Sequence, residues 1–77
     1  MIRLIFKNNI ITGYATVGYN SSDTEEVVKQ KSKQELNDLL SPILEEGETW
    51  RDKYRYLSLD GDGKVYLDME RYEEEQE

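Results

Sequence analysis

The 77-residue chain contains neither cysteine nor histidine. Without cysteine it can form no disulfide, thiolate metal site or thiol nucleophile, and it suits a reducing compartment. Without histidine it lacks the commonest general base at neutral pH and the commonest metal ligand. No apolar run approaches the roughly 20 residues of a membrane span. No basic-then-apolar leader opens the sequence, so we expect no signal peptide and no membrane partner.

Positive charge is scarce. Seventeen acidic residues outnumber ten basic ones, which gives a net charge of −7. The excess begins after residue 22, since residues 1–22 carry only Arg3 and Lys7. Such a chain repels nucleic acid and anionic membranes, so a charge-steered partner would be basic. Solubility alone also accounts for this many acids, and composition does not separate the two explanations.

The stretch from residue 54 to residue 72 has two β-prone, alternating runs around a glycine-rich corner, which predicts a hairpin. A three-residue loop at 61–63 keeps the aliphatic side chains on one face. Gly63 supplies the left-handed residue that this loop needs, and the Asp60 carboxylate is placed to accept backbone N–H groups. The predicted pairs are Leu59 with Val65 and Leu57 with Leu67.

A second hairpin is predicted over residues 2–17. Asparagine tolerates positive φ, so Asn8-Asn9 suits a two-residue type I′ turn. The predicted pairs are Phe6 with Ile11, Leu4 with Gly13 and Ile2 with Ala15. Gly13 inside a strand marks a bulge or a close crossing. Ile5 and Ile10 fall on the reverse face, which suggests partial cover there as well.

A helix is predicted over about residues 33–46. It begins at a capping box of Ser32 and Glu35. Pro42 should kink or restart it near Ser41, and Gly47 is a natural stop. The apolar stripe of this helix comprises Leu36, Leu39, Leu40, Ile43 and Leu44.

A second capping box, of Ser22 with Glu25, is an alternative helix start. Residues 24–31 are left open between helix and irregular structure, because a polar run separates Val27 and Val28 from the stripe.

These elements predict an α+β domain in the order ββαββ. Two hairpins form a small antiparallel sheet, and one helix, which kinks or restarts near Pro42, packs on one face. The domain is expected to span residues 1–72, with residues 73–77 as an acidic C-terminal tail.

No metal, cofactor or catalytic site is predicted. An EF-hand loop placed on Asp60-Gly-Asp62-Gly63 would start at Ser58 and end at Met69, so both of those positions lack a carboxylate. Glu45, Glu46 and Glu48 flank a helix end and offer no dry pocket for acid–base chemistry. No glycine-rich phosphate loop is present. We therefore expect the protein not to be an enzyme.

The tyrosine-rich face of the second hairpin is the candidate contact surface. Tyrosine is enriched at protein interfaces because it buries a large area at low entropic cost. The candidate partner-binding residues are Trp50, Tyr54, Arg55, Tyr56, Tyr66, Asp68 and Glu70. The alternative is that the aromatic side chains cover the back of the sheet without a partner. A second copy of the chain is one open choice of partner.

The stretch from Leu4 to Gly18, LIFKNNIITGYATVG, resembles the opening of small uncharacterised proteins from tail or late-gene clusters of phages and prophages of Gram-positive bacteria. Those proteins begin with a strand, an Asn-rich turn and an Ile-Gly-Tyr-Ala-like second strand. They often close with a short hairpin and an acidic tail, like residues 54–77. The group has no established activity, so no functional residues carry over. The resemblance implies a protein of the bacterial host cytoplasm or of the virion.

Two functions are compatible with these features. The resemblance favours a virion, tail-accessory or assembly protein that acts through protein contacts. The net charge favours an acidic inhibitor that occupies a basic nucleic-acid-binding surface of a host defence enzyme, of the anti-CRISPR or anti-restriction type that mimics DNA. An inhibitor of this kind should lose affinity steeply as salt rises.

Overall fold

The computed structural model describes residues 1–18 and 24–76 as a five-stranded antiparallel sheet, bent into a half-barrel, with three short helices. The strands are β1 Ile2–Lys7, β2 Ile10–Ala15, β3 Glu26–Lys31, β4 Leu57–Leu59 and β5 Val65–Leu67. The helices are α1 Lys33–Leu40, α2 Trp50–Lys53 and α3 Met69–Gln76, and a 3-10 turn spans Tyr54–Tyr56. The sheet order is β3-β1-β2-β4-β5. The predicted ββαββ order, with two hairpins and one helix, is therefore wrong.

The largest difference from prediction is β3, which lies within residues 24–31, where the sequence does not distinguish a helix from irregular structure. It pairs antiparallel with all six residues of β1. Val27 and Val28 are β-branched and suit a strand, but both remain exposed at the sheet edge. Because an edge strand with little buried surface shows no clear hydrophobic alternation, the sequence carries a weak strand signal. The alternative cap at Ser22 lies outside the described residues.

The first hairpin has the predicted turn but a different register beyond it. Asn8 and Asn9 have φ values of 54° and 66°, as a type I′ turn requires. Phe6 pairs with Ile11 as predicted, but the register shifts between Ile5 and Phe6. The shift leaves Thr12 as the extra residue of a β-bulge, and its hydroxyl donates to the Ile5 carbonyl at 3.3 Å.

The bulge changes which residue of β2 faces the core. Leu4 pairs with Tyr14, and Arg3 pairs with Ala15. The predicted pairs of Leu4 with Gly13 and Ile2 with Ala15 are therefore wrong, and Tyr14 packs against the core. Gly13 does mark a bulge, which was one of its two predicted roles.

The second hairpin is confirmed in register and loop, but its strands span only Leu57–Leu59 and Val65–Leu67, so the predicted extent over residues 54–72 is wrong. Leu57 pairs with Leu67 and Leu59 with Val65. Gly63 has a φ of +79°. The Asp60 carboxylate accepts the backbone N–H groups of Asp62 and Lys64 at 2.8 and 2.9 Å.

Helix α1 begins as predicted and ends earlier. Ser32 and Glu35 form the capping box, with the Glu35 N–H to Ser32 Oγ distance at 3.1 Å. The helix stops at Leu40 rather than near residue 46, because Pro42 has no N–H for the next helical hydrogen bond. A tight turn follows, in which Ile43 N–H donates to the Leu40 carbonyl at 2.9 Å.

The core fills the inner face of the half-barrel beneath α1 and α2. Leu36 and Leu40 of α1 are fully buried there against Leu4, Phe6 and Leu57 of the sheet. The core also contains Ile2, Ile11, Ile43, Trp50, Tyr56 and Leu59. Burying this set of side chains is the main force that holds the small helices to the sheet.

Helix α3 was not predicted. It begins after Asp68, whose Oδ1 accepts the Arg71 N–H at 3.1 Å in the manner of a helix cap. It includes residues 73–76, which the sequence assigns to an acidic tail, and only Glu77 of that tail lies outside the described residues.

Candidate functional site

A groove of about 440 Å³ lies between the reverse face of the sheet and α3. Three carboxylates and one guanidinium line it, so we call it the acidic groove. The residues that define it are Ile10, Tyr66, Asp68, Glu70, Arg71 and Glu74.

The floor of the acidic groove is a row of side chains across three strands. Ile10 of β2 pairs with Ser58 of β4, which pairs with Tyr66 of β5. These residues alternate with the inward-facing Ile11, Leu57 and Leu59, so the row points away from the core. Ser58 is buried, whereas Ile10 is 52% and Tyr66 40% exposed. The floor therefore offers an aliphatic and an aromatic surface to solvent.

Helix α3 forms the wall of the acidic groove. The Arg71 guanidinium donates to the carbonyls of Arg55 and Leu57, the second at 3.1 Å. This side chain is thus directed at the protein backbone and ties α3 to the 3-10 turn. Asp68 caps the helix and lies 3.5 Å from the Ser58 hydroxyl.

Glu70 and Glu74 are the carboxylates of the groove that face outward. They are four residues apart, so they lie on the same side of α3. Both are exposed, and within residues 1–18 and 24–76 neither takes part in an ion pair. Two like charges at this spacing disfavour an isolated helix slightly, and a cation placed between them would relieve that repulsion.

This arrangement suits a long, positively charged side chain. The methylenes of lysine or arginine pack well along an aliphatic surface, while the cationic head reaches carboxylates at the rim. An exposed tyrosine ring adds a cation–π surface. The groove thus has an apolar centre with a charged rim, as protein interfaces commonly do.

Neither a metal-ligand cluster nor a membrane-spanning helix occurs in the part of the chain that the structure describes. No cluster of three or more histidine, cysteine, aspartate or glutamate side chains is arranged there to hold a metal ion. No helix in that part is long and apolar enough to cross a membrane.

The seven predicted contact residues do not form one surface in the structure. Tyr66, Asp68 and Glu70 line the acidic groove together. Trp50 is 3% and Tyr56 1% exposed, so both belong to the core and not to a surface. The tyrosines fail to share one face because residues 54–56 form a 3-10 turn in place of a strand.

The remaining two residues lie elsewhere. Tyr54 is half-buried, and its ring is 5.0 Å from that of Tyr14 in an edge-to-face contact. Arg55 is exposed and pairs with Glu75 at 3.5 Å. Its hydrogen bond to the Tyr56 hydroxyl, at 2.8 Å, is the main influence that raises the pKa of the Arg55 guanidinium.

Sequence reasoning missed Ile10, Arg71 and Glu74 as groove residues. A signal existed for Ile10, because it was a large aliphatic residue left outside the predicted core. A signal also existed for α3: Asp68 is a good N-cap, and the run from Met69 to Gln76 consists of strong helix formers.

The fold and the groove define a small α+β protein with an acidic, partly aromatic surface on the back of its sheet. Comparison with protein-family profiles, with curated proteins and with solved structures gives no match.

Proposed function

We propose that this protein is a non-enzymatic protein-interaction module that binds a basic segment of a partner in the acidic groove. The proposal rests on the exposed pair Ile10 and Tyr66, which lies beneath the carboxylates Glu70 and Glu74, and within the described residues neither carboxylate forms an ion pair. This combination recognises a lysine or arginine side chain by its apolar stem and its charge together. The predicted contact residues Tyr66, Asp68 and Glu70 belong to this site.

The resemblance of residues 4–18 to phage late-gene products supplies a setting for such a contact. In that setting the partner is another protein of the particle or of its assembly, and the module acts as a virion or tail accessory. A basic loop or terminus on that partner is the chemistry that the groove fits.

An acidic inhibitor of a host defence enzyme is the second candidate. Its support is the net charge of −7 together with the carboxylates of α3, where Glu73 and Glu75 join those of the groove. In that function the whole acidic surface imitates the charge of a nucleic acid, and no single groove is required.

The two candidates are separated by a binding assay with a labelled peptide that contains two arginines, measured against a peptide with glutamine in their place. The double variant Glu70→Gln, Glu74→Gln and the single variant Tyr66→Ala are compared with the wild type. If the groove binds the segment, each variant should weaken the arginine peptide about tenfold, which corresponds to about 1.4 kcal/mol.

The control removes the same charge at another place. Glu45→Gln, Glu46→Gln also deletes two exposed carboxylates, but these lie outside the groove. An equal loss of affinity in both double variants, with no effect of Tyr66→Ala, would contradict groove binding and favour general charge attraction. Retention of binding at high salt would count against the inhibitor.

A further inference from the structure

A second groove lies between the two edges of the bent sheet, where the outer strands β3 and β5 approach each other. In the described sheet β3 pairs only with β1, and β5 pairs only with β4. The bend of the half-barrel nevertheless brings Lys29 of β3 close to the β4–β5 loop. Its Nζ lies 3.5 Å from the position that a Cβ would take at Gly63. The space between the two margins measures about 400 Å³.

This second groove has the opposite charge from the rest of the protein, so we call it the lysine groove. It is lined by Lys29, Gln30, Lys31, Gly63, Lys64 and Val65, and none of these is acidic. Lys31 pairs with Glu35 at 3.5 Å. Within the described ranges, Lys29 and Lys64 have no ion-pair partner. Two cations that form no ion pair in the described residues are therefore gathered in a chain of net charge −7, although Asp60 lies near enough to Lys64 to feel its charge.

The wall of the lysine groove is an open strand edge. A strand that pairs on one side only leaves alternate N–H and C=O groups without a sheet partner on the other side. β3 provides six residues of such an edge, and Val27 and Val28 are exposed along it. An open edge is the element that an added strand requires, since main-chain hydrogen bonds supply affinity and side chains supply selectivity.

We propose that the lysine groove binds an extended, acidic segment of a partner protein, which adds to β3 as a further strand. Backbone pairing would be made to the outer edge of β3. Carboxylates of the segment would meet Lys29 and Lys64, neither of which forms an ion pair in the described residues. The site is distinct in place and in sign of charge from the acidic groove, and it does not depend on the function proposed there.

The test uses an eight-residue peptide in which valine or threonine alternates with glutamate. We expect it to bind, and to slow hydrogen exchange of β3 amides at least tenfold at saturation. The same peptide with N-methyl groups on alternate residues keeps its charge but loses the ability to pair as a strand. It should bind at least tenfold more weakly.

Lysine variants measure how much the charges of the lysine groove contribute to the affinity for the acidic peptide. Lys29→Gln, Lys64→Gln should weaken the acidic peptide about tenfold. The matched control, Lys33→Gln, Arg51→Gln, removes two exposed cations outside the groove and should change the affinity less than twofold. The variant Glu70→Gln, Glu74→Gln should bind the peptide as the wild type does, so failure at one groove is distinguishable from failure at the other.

Three results would overturn the proposal. The first is equal binding of the N-methylated peptide, because that would reduce the interaction to charge alone. The second is dimerisation that Lys29→Gln abolishes, because a second copy would then be the occupant. The third is absence of peptide binding. Aggregation of the double lysine variant would then show that the edge lysines serve only to keep copies apart.

Discussion

The two halves of the sheet are held together in different ways. In the N-terminal half, β1 is paired along its length on both sides, to β2 and to β3. In the C-terminal half, β4 and β5 share three residue pairs. Within the described residues, the backbone ladders of the two halves join at one residue pair, Ile10 with Ser58, and at the hydrogen bond from Leu59 N–H to the Asn9 carbonyl.

In the C-terminal half, side-chain contacts do the stabilising that backbone hydrogen bonds between long strands do in the N-terminal half. Arg71 bonds to the carbonyls of Arg55 and Leu57, Asp68 caps α3, and Asp60 fixes the loop. The rings of Tyr56 and Tyr72 meet edge to face at 5.0 Å. A short strand pair therefore stays in place because polar side chains and aromatic contacts anchor it to a helix.

Both grooves adjoin the C-terminal half of the sheet. In the described sheet, the short strands leave the outward-facing Tyr66 and the outer edge of β5 uncovered. One groove forms there against Ile10 of β2, and the other forms against the free edge of β3. Removal of a side-chain anchor should therefore loosen the C-terminal half before the N-terminal half.

The largest effect is expected from Arg71→Met. Loss of a charged donor to two carbonyls should lower the free energy of unfolding by about 2 kcal/mol. Hydrogen exchange should speed up in α3 and the 3-10 turn before it does in β1. Urea unfolding and amide exchange measure the two quantities. The control Arg51→Met removes an exposed arginine of α2, and an equal destabilisation there would refute the anchoring role of Arg71.

A smaller effect is expected from Gly63→Ala. The φ of +79° is unfavourable for a residue with a Cβ, so the free energy of unfolding should fall by about 1 kcal/mol. Space is available, because the nearest atom to the added Cβ would be Lys29 Nζ at 3.5 Å. Gly61→Ala is the matched control, since Gly61 has no positive φ and nothing lies within 4 Å of its added Cβ. Chemical denaturation with similar losses for both variants would show that backbone conformation is not the cause.

The smallest effect is the pH dependence that Asp60 gives to the free energy of unfolding. Hydrogen bonds from the backbone N–H groups of Lys64 and Asp62 lower the pKa of this carboxyl below its ordinary value of 3.8. The unfolded chain therefore binds this proton more readily, so the stabilisation is complete above pH of about 4 and is lost as pH falls through the folded pKa.

The measurement for Asp60 is the free energy of unfolding of the Asp60→Asn variant and of the wild type, each taken at about every pH unit from about pH 2 to about pH 7. The two curves should converge toward the acid end. Asp62→Asn changes a carboxylate that accepts no hydrogen bond within the described residues, and its offset from wild type should not follow this course. Parallel curves for Asp60→Asn would contradict the assignment.

The sequence predicted the features that depend on near neighbours. The turn at Asn8-Asn9, the loop with Gly63 and Asp60, and the capping box at Ser32 were all found as expected. Each rests on an allowed φ or on a hydrogen bond between residues at most four apart, and such relations are visible in the order of residues. Of the acidic groove, the sequence supplied Tyr66, Asp68 and Glu70.

The rest depended on contacts between distant residues. Residues 26–31 become a strand because the free edge of β1 offers them partners, although their own pattern is ambiguous. Thr12 enters a bulge that turns Tyr14 toward Trp50, whose ring lies 4.8 Å away. Tyr56 is buried because the chain forms a 3-10 turn before β4.

Amino-acid order alone thus determined the turn at Asn8-Asn9, the loop at Gly63 and the start of α1, since local backbone preferences depend on neighbouring residues. Tertiary structure decided the strand count, the packing of α3 and the placement of both grooves. The physical reason is that an exposed edge strand has a weak pattern of its own and an eight-residue helix is too short to be stable alone, so the surfaces on which they dock select their structure.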